Sequence, residues 1–142
     1  MNIQKFTQNS IQAVQSCEKL AYDYGNQEIA QEHLLYALLT QEDSLILKLF
    51  EKMGFQSTLV VNRVEELLNK RPKVQGGQVF VGQDLNNVLI HAEDEAKAMG
   101  DEYVSVEHLF LALLKYASRD MKSFYKEMGI SREGFLQALS SV

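Results

Sequence analysis

The stretch EHLLYALL occupies residues 32–39, and 75 residues later EHLFLALL occupies residues 107–114. The same offset aligns Gly25 with Gly100 and, without a gap, most of the rest of the chain with itself. Self-similarity at one fixed spacing is the signature of a repeated structural unit. The sequence therefore predicts two copies of one unit that meet along a shared seam, and a binding site could lie along that seam.

The composition is that of one globular domain: 142 residues, of which 46% are apolar and 23% charged. The net charge of −5 argues against a general nucleic-acid surface, which needs a basic face. The single cysteine, Cys17, excludes an intrachain disulfide, and its helical spacing with apolar neighbours predicts a core position. The N-terminus lacks the apolar segment of a signal peptide, and no apolar run approaches about 18 residues. We therefore expect no membrane span and a cytoplasmic location.

Apolar residues at helical spacing, bounded by capping residues and glycines, predict eight helices. Thr7 is expected to cap the first helix, which Gly25 closes, and Ser105 and Ser131 are expected to cap the sixth and the eighth. The second to eighth helices are expected at roughly 31–40, 45–53, after Phe55 as far as Pro72, 84–99, 105–116, 120–128 and 131–142.

The second helix of each unit has an almost wholly apolar face, which contains Leu38-Leu39 in one copy and Leu113-Leu114 in the other, so it must be central. We expect the two units to pack through this face about a pseudo-twofold axis. The predicted fold is all-α, with two pseudo-twofold-related four-helix repeats in one compact domain over residues 1–142. Repeat one covers about 6–70, a linker with proline and glycines covers about 71–83, and repeat two covers about 84–142.

The motifs of enzymes and metal sites are absent from the sequence. No phosphate-binding glycine loop occurs, and no cysteine–histidine cluster has zinc spacing. The Glu32-His33 and Glu107-His108 pairs lack the second histidine of a helical metal site, so we interpret these histidines as first-turn helix residues at the repeat interface. No pair of carboxylates stands beside a positioned nucleophile or base. These observations predict a binding module without metal or cofactor, and not an enzyme.

Three motifs then give a specific resemblance. Lys5-Phe6-Thr7, Gly25-Asn26-Gln27-Glu28-Ile29 and the Glu-His-Leu-Leu stretch at 32–35 together resemble the Clp N-terminal (repeat) domain, and 100–109 resembles its second copy. The segment 71–77 and the stretch 83–89 are most similar to the ClpB, or disaggregase, branch, with ClpC and ClpA as near alternatives. The resemblance implies a domain tethered ahead of AAA+ ATPase rings, which captures unfolded or aggregated polypeptide or adaptor proteins. ATP and magnesium would then belong to those rings. The isolated domain would be a monomer and the whole protein a hexamer.

Similarity to the ClpB branch implies a substrate-binding site in the groove between the repeats. Thr7 matches the threonine of the family's Phe-Thr opening, and Asp101 and Glu107 match an acidic pair in its Gly-Asp-x-x-x-Ser-x-Glu stretch. Leu89 matches an apolar groove position, and His108 lies on the same side as Glu107. Capture of a disordered peptide at such a site is expected to be weak, at ~10 μM to 1 mM, because ordering the peptide costs entropy.

ClpC-type domains imply a sharper variant of this site, in which a threonine and the glutamate of the Glu-His pair recognise phosphoarginine. Thr7 with Glu32 fits one such site. Its counterpart would need a hydroxyl at Gly82, next to Glu107. A different class of function also stays open at this point: a stand-alone double-repeat protein with an interaction or regulatory role.

Overall fold

The computed structural model describes residues 2–142 and confirms the all-α fold. In this range eight α-helices follow a short 3₁₀ turn at Ile3–Lys5. The helices are α1 (Gln8–Asp23), α2 (Gln31–Leu39), α3 (Leu45–Lys52), α4 (Ser57–Lys70), α5 (Gln83–Ala98), α6 (Val106–Lys115), α7 (Arg119–Met128) and α8 (Arg132–Ser140). Every expected helix is present, and its ends lie within a few residues of those read from the sequence. No helix in this range is long and apolar enough to cross a membrane.

Thr7, Ser105 and Ser131 all hold the N-cap positions that the sequence predicts. The Thr7 hydroxyl accepts a hydrogen bond from the Ser10 N–H at 3.2 Å, and the Ser131 hydroxyl accepts one from the Gly134 N–H at 3.0 Å. Ser105 holds the expected N-cap position of α6, but its hydroxyl makes no capping hydrogen bond. The His108 Nδ1 atom accepts the Ser105 N–H at 2.9 Å, so the histidine ring satisfies the N–H of the N-cap residue.

The helices α2 and α6 lie at the centre of the molecule and contact each other across the seam between the repeats. Leu38, Leu39 and Leu113 are buried as expected, whereas Leu114 is only half-buried. An aromatic cluster joins the two repeats, because Phe50 of α3 packs on Phe110 of α6 with ring centroids 5.2 Å apart. Cys17 lies in the core as predicted, where burial raises the pKa of its thiol to about 12.

Two very short parallel pairings join the repeats, and the sequence did not predict them. The strands β1 (Glu28–Ile29) and β2 (Phe80–Val81) pair with each other, and Phe6 forms an isolated bridge with Val104. By the offset of 75, Phe6 corresponds to Val81 and Ile29 corresponds to Val104. Each pairing therefore joins the segment before one repeat's first helix to the segment before the other repeat's second helix. We call this arrangement the strand exchange.

The segment predicted as an irregular linker is tied to the first repeat. The Val74 N–H donates to the Gly25 carbonyl at 2.8 Å, and the Lys73 ammonium donates to the Tyr24 carbonyl at 2.6 Å. The Asn26 side chain donates to the Pro72 carbonyl at 3.2 Å. The linker consequently runs along the end of α1 and pairs with β1 through β2, and α5 then begins the second repeat.

Candidate functional site

The two histidines of the repeat hold the loops in front of α2 and α6. Each Nδ1 accepts a backbone N–H, from Ala30 to His33 at 2.8 Å and from Ser105 to His108 at 2.9 Å. A backbone N–H can only donate, so this hydrogen bond assigns the ring proton to Nε2 in both residues. Each Nε2 then donates to a loop side chain seven residues upstream, His33 to Asn26 at 3.0 Å and His108 to Asp101 at 2.8 Å.

Both rings are fully buried, so neither histidine offers surface to a ligand. Burial is the main cause that lowers the pKa of His33 to about 4, and the charge of Arg71 lowers it further. The predicted contact between His108 and a substrate is replaced in the structure by a positioning role, because His108 orients the Asp101 carboxylate. Among residues 2–142, no group of three or more histidine, cysteine or carboxylate side chains could hold a metal ion.

The strand exchange brings three of the predicted site residues, Thr7, Asp101 and Glu107, to one edge of the molecule; we call them the acidic rim. The Thr7 N–H donates to the Val104 carbonyl at 3.0 Å, which places Thr7 beside the segment between the two acids. The Asp101 side chain is 46% exposed, and Glu107 is half-buried in the first turn of α6. Glu107 has no hydrogen bond or ion pair to another side chain within the described chain, so its carboxylate can accept one from a ligand.

Apolar side chains that the sequence analysis missed stand next to this rim. The Val104 N–H donates to the Lys5 carbonyl at 2.7 Å, so the turn Ile3–Lys5 runs alongside the residues before α6. On these two segments Ile3 is 44% exposed and Tyr103 is 51% exposed. The only sequence signal for them was a tyrosine among acids and an isoleucine ahead of the first helix, which no periodicity distinguishes.

In the first repeat, the carboxylates at the place that corresponds to the acidic rim are paired with an arginine of the same chain. The Arg71 guanidinium donates to Glu32 at 2.9 Å and to Glu28 at 2.8 Å, and the Glu32 side chain is only 6% exposed. Gly82, which corresponds to Thr7, lies against Glu28, and a Cβ built there would overlap the Glu28 carboxylate. We call Glu28, Glu32 and Arg71 the arginine clasp. Glu32 is thus committed within the molecule.

The clasp also corrects the predicted pairing of threonine and glutamate. The Gly82 N–H donates to the Ile29 carbonyl at 2.9 Å, three residues before Glu32, whereas Thr7 contacts Val104, three residues before Glu107. Strand exchange therefore places Thr7 on the same side as Glu107, and not beside Glu32 as expected. A threonine–glutamate site of the predicted kind would therefore lie at the acidic rim alone.

Leu89, the predicted apolar groove residue, lies on the core face of α5 and is 6% exposed. Its neighbour Ile90 is 47% exposed on the outer face of the same helix. Two adjoining cavities of about 330 and 220 Å³ do run along the seam between the repeats. Both are lined by Glu32, Arg71 and Asp120, so charged side chains of both signs border this inter-repeat groove.

Comparison with known proteins assigns the chain to a family. The model of the Clp repeat (R) N-terminal domain matches residues 5–128. The chaperone protein ClpB of Nitratidesulfovibrio vulgaris is 42% identical over the whole chain, and the chaperone protein ClpB of Porphyromonas gingivalis is 41% identical over 80% of it. The chain spans 17% and 13% of the length of these two relatives.

Solved structures have the same fold. The Hsp104 N-terminal domain from Candida albicans superposes with a TM-score of 0.81 at 24% identity, covering 94% of this chain and 88% of that one. A ClpV N-domain in complex with a VipB peptide superposes with a TM-score of 0.73 at 22% identity, covering 97% and 89%. The repeat, the helical architecture and the family match agree: the chain belongs to the Clp repeat (R) N-terminal domain family.

Proposed function

We propose that the chain is the substrate- and adaptor-binding N-terminal domain of a ClpB-like, ATP-dependent protein disaggregase of the cytoplasm. The observation that carries this proposal is the 42% identity to a ClpB chaperone along the whole chain. The chain spans 17% of the length of that chaperone, so ATP and magnesium are assigned to AAA+ modules outside it. In this proposal the domain is a monomer on a tether, and the whole protein is a hexamer.

The proposed capture surface is the acidic rim together with the exposed side chains of Ile3 and Tyr103. Unfolded polypeptides expose apolar side chains, which these two residues can contact without fixing a sequence. The carboxylates of Asp101 and Glu107 attract basic residues and backbone N–H groups of the captured segment. A related ClpV N-domain is known in complex with a VipB peptide, which supports peptide binding by this fold.

Amide NMR spectra recorded during titration with a reduced and alkylated model protein test this surface. We expect shifts at Thr7 and across residues 101–107, and Asp101→Asn with Glu107→Gln should weaken binding about tenfold. A matched variant, Asp43→Asn with Glu51→Gln, removes the same charge from two exposed positions, one just before α3 and one within it. Binding that this control weakens equally, or shifts confined to other helices, would refute the assignment of the surface.

One observation bears on the ClpC-type alternative, which is recognition of phosphoarginine. The arginine clasp already pairs Glu28 and Glu32 with an internal guanidinium, so only the acidic rim would be free for such a ligand. Free phosphoarginine added to the NMR sample separates the two functions. Saturable shifts at Thr7 and Glu107 that compete with the unfolded protein would favour the ClpC-type reading, and unchanged spectra would favour the ClpB-like one.

A further inference from the structure

A cavity of about 500 Å³ lies where the ends of α6 and α7 meet the start of α8, away from the inter-repeat groove. This volume lies within the usual range of ligand-binding pockets. We call it the basic pocket, because half of the residues around it are cationic. It is lined by Leu114, Lys115, Ala117, Lys122, Tyr125, Lys126, Ile130 and Arg132.

The floor of the basic pocket is apolar. Ala117, Tyr125 and Ile130 are each less than a tenth exposed and belong to the hydrophobic core. Leu114 is the one leucine of the central helices' Leu-Leu pairs that is not fully covered. Its side chain therefore gives a ligand apolar surface that the fold leaves open.

The cations around this floor are mostly uncompensated, although the chain has a net charge of −5. Arg132 donates to the buried Glu95 carboxylate at 2.6 Å, so its guanidinium is fixed in place. None of Lys115, Lys122 and Lys126 forms an ion pair with another residue in the range 2–142. The ligand that complements this ring of positive charge carries carboxylates.

The first repeat provides an internal comparison for these cations. The positions 75 residues earlier are Leu39, Thr40, Glu42, Leu47, Phe50, Glu51, Phe55 and Ser57, and none of them is cationic. The first repeat has Leu47 at the position of Lys122 and Glu51 at the position of Lys126. Lys122 also stands in the N-terminal half of α7, where the helix dipole gives no reason for a positive charge. The helix dipole accounts for Lys115 and Lys126, which stand in the last turns of α6 and α7, but it does not account for Lys122.

We propose that the basic pocket docks a peptide segment with aliphatic side chains flanked by acidic residues, carried by a client or an adaptor protein. An aliphatic side chain would cover Leu114 and Ile130, while the flanking carboxylates would pair with Lys122 and Lys126. The pocket and the acidic rim lie at opposite ends of α6, about 15 Å apart along the helix. The proposal therefore adds a second docking site of opposite charge preference and does not depend on the acidic rim.

Fluorescence anisotropy with a labelled peptide, Gly-Glu-Asp-Leu-Leu-Asp-Glu-Gly, tests the proposal on the intact 142-residue chain. We expect binding to weaken about tenfold in Lys122→Gln with Lys126→Gln, while a charge-matched control, Lys19→Gln with Lys48→Gln, stays within about twofold. A peptide with serines in place of both leucines should lose most of its affinity, because the apolar floor then has no partner. Amide shifts are expected at Leu114, Lys122 and Ile130.

Equal loss in the control variant, or equal binding of the serine peptide, would overturn the proposal, because attraction would then be a general charge effect. Shifts that avoid the three named amides would overturn it as well. The acidic-rim variant, Asp101→Asn with Glu107→Gln, should bind the acidic peptide as the unaltered chain does. Failure of the basic-pocket proposal would leave the proposed capture at the acidic rim standing, because capture is measured with a different ligand and different variants.

Discussion

His33 and His108 show how much of a residue's role depends on partners that the sequence does not mark. Their equivalence and their place in the first turn of a helix follow from the offset of 75. Their hydrogen-bond partners, Asn26 and Asp101, lie in loops where neither periodicity nor a motif points to the contact. The acidic character of Asp101 was predictable from the sequence, but its fixed orientation by a buried imidazole was not.

The buried imidazole of His33 should make stability depend on pH. The folded state holds the pKa near 4 and the ordinary value is 6.5, so the unfolded chain binds the extra proton more readily between these values. Stability is therefore fully present above 6.5 and is lost as the pH falls towards 4. Between about pH 7 and pH 4.5, the free energy of unfolding in urea should fall by about 2 kcal/mol more in the unaltered chain than in His33→Gln.

The comparison with His33→Gln isolates this contribution, since both proteins share every other titrating group. Identical losses of unfolding free energy in the two proteins would show that His33 is protonated as easily in the folded chain as in the unfolded one. A larger loss in the variant would contradict the prediction outright.

Tyr125 carries a buried hydroxyl that has no hydrogen-bond partner in the described chain. Its burial raises the pKa of the phenol, and the charge of Glu32 raises it further. An unpaired buried donor costs stability, so Tyr125→Phe should raise the unfolding free energy by about 1 kcal/mol. Tyr36→Phe is the matched control, because it removes a hydroxyl that donates to Glu65 at 3.2 Å and should lower stability. Destabilisation by Tyr125→Phe in chemical denaturation would contradict the prediction.

At the scale of the elements, the helices were predictable and the connection between repeats was not. Glycine, proline and capping residues placed the helix ends because those signals act within a few residues. The linker looked irregular because its order comes from Arg71, which reaches across about forty residues of sequence to Glu28 and Glu32. Strands of two residues also carry no readable alternation, so β1 and β2 escaped prediction.

Removing the guanidinium from the arginine clasp should destabilise the domain through the linker. In Arg71→Ala, the buried Glu32 carboxylate loses its partner, which should cost about 2 kcal/mol of unfolding free energy. The matched control is Arg63→Ala, an exposed arginine on α4. The double variant Arg71→Ala with Glu32→Gln should recover part of the loss, because no unpaired charge remains. Equal thermal midpoints for Arg71→Ala and Arg63→Ala would show that the clasp contributes nothing.

At the scale of the whole molecule, the repeat predicted two packed units but not the way they are joined. The sequence expectation was a shared apolar face, and the buried leucines of α2 and α6 bear it out. Strand exchange adds a second connection, in which each repeat supplies a segment to the other. Because an offset reports only equivalence, it could not tell whether Thr7 joins Glu32 or Glu107. That choice decides the composition of the proposed site.

Neither repeat should fold alone, since each would lose a strand partner and the cover of its central helix. We expect the fragment 1–75 and the fragment 76–142 to be largely unfolded by circular dichroism when separate. Mixed at equal concentration, they should regain helicity and a cooperative thermal transition. A cooperative transition in either fragment alone would contradict this prediction and would make the repeats independent folding units.

The glycine pair in the linker gives the strand exchange a consequence for oligomeric state. Gly76 and Gly77 both have positive φ angles, 74° and 80°, and they lie in the turn between Val74 and Phe80, whose N–H groups donate to the carbonyls of Gly25 and Gln27. If the linker were too short or too stiff for this turn, the pairings Phe6–Val104 and Ile29–Val81 would still be available between two chains. Each chain would then donate its second repeat to the other, giving a closed, domain-swapped dimer. The turn at these two glycines therefore favours pairing within one chain over a domain-swapped dimer.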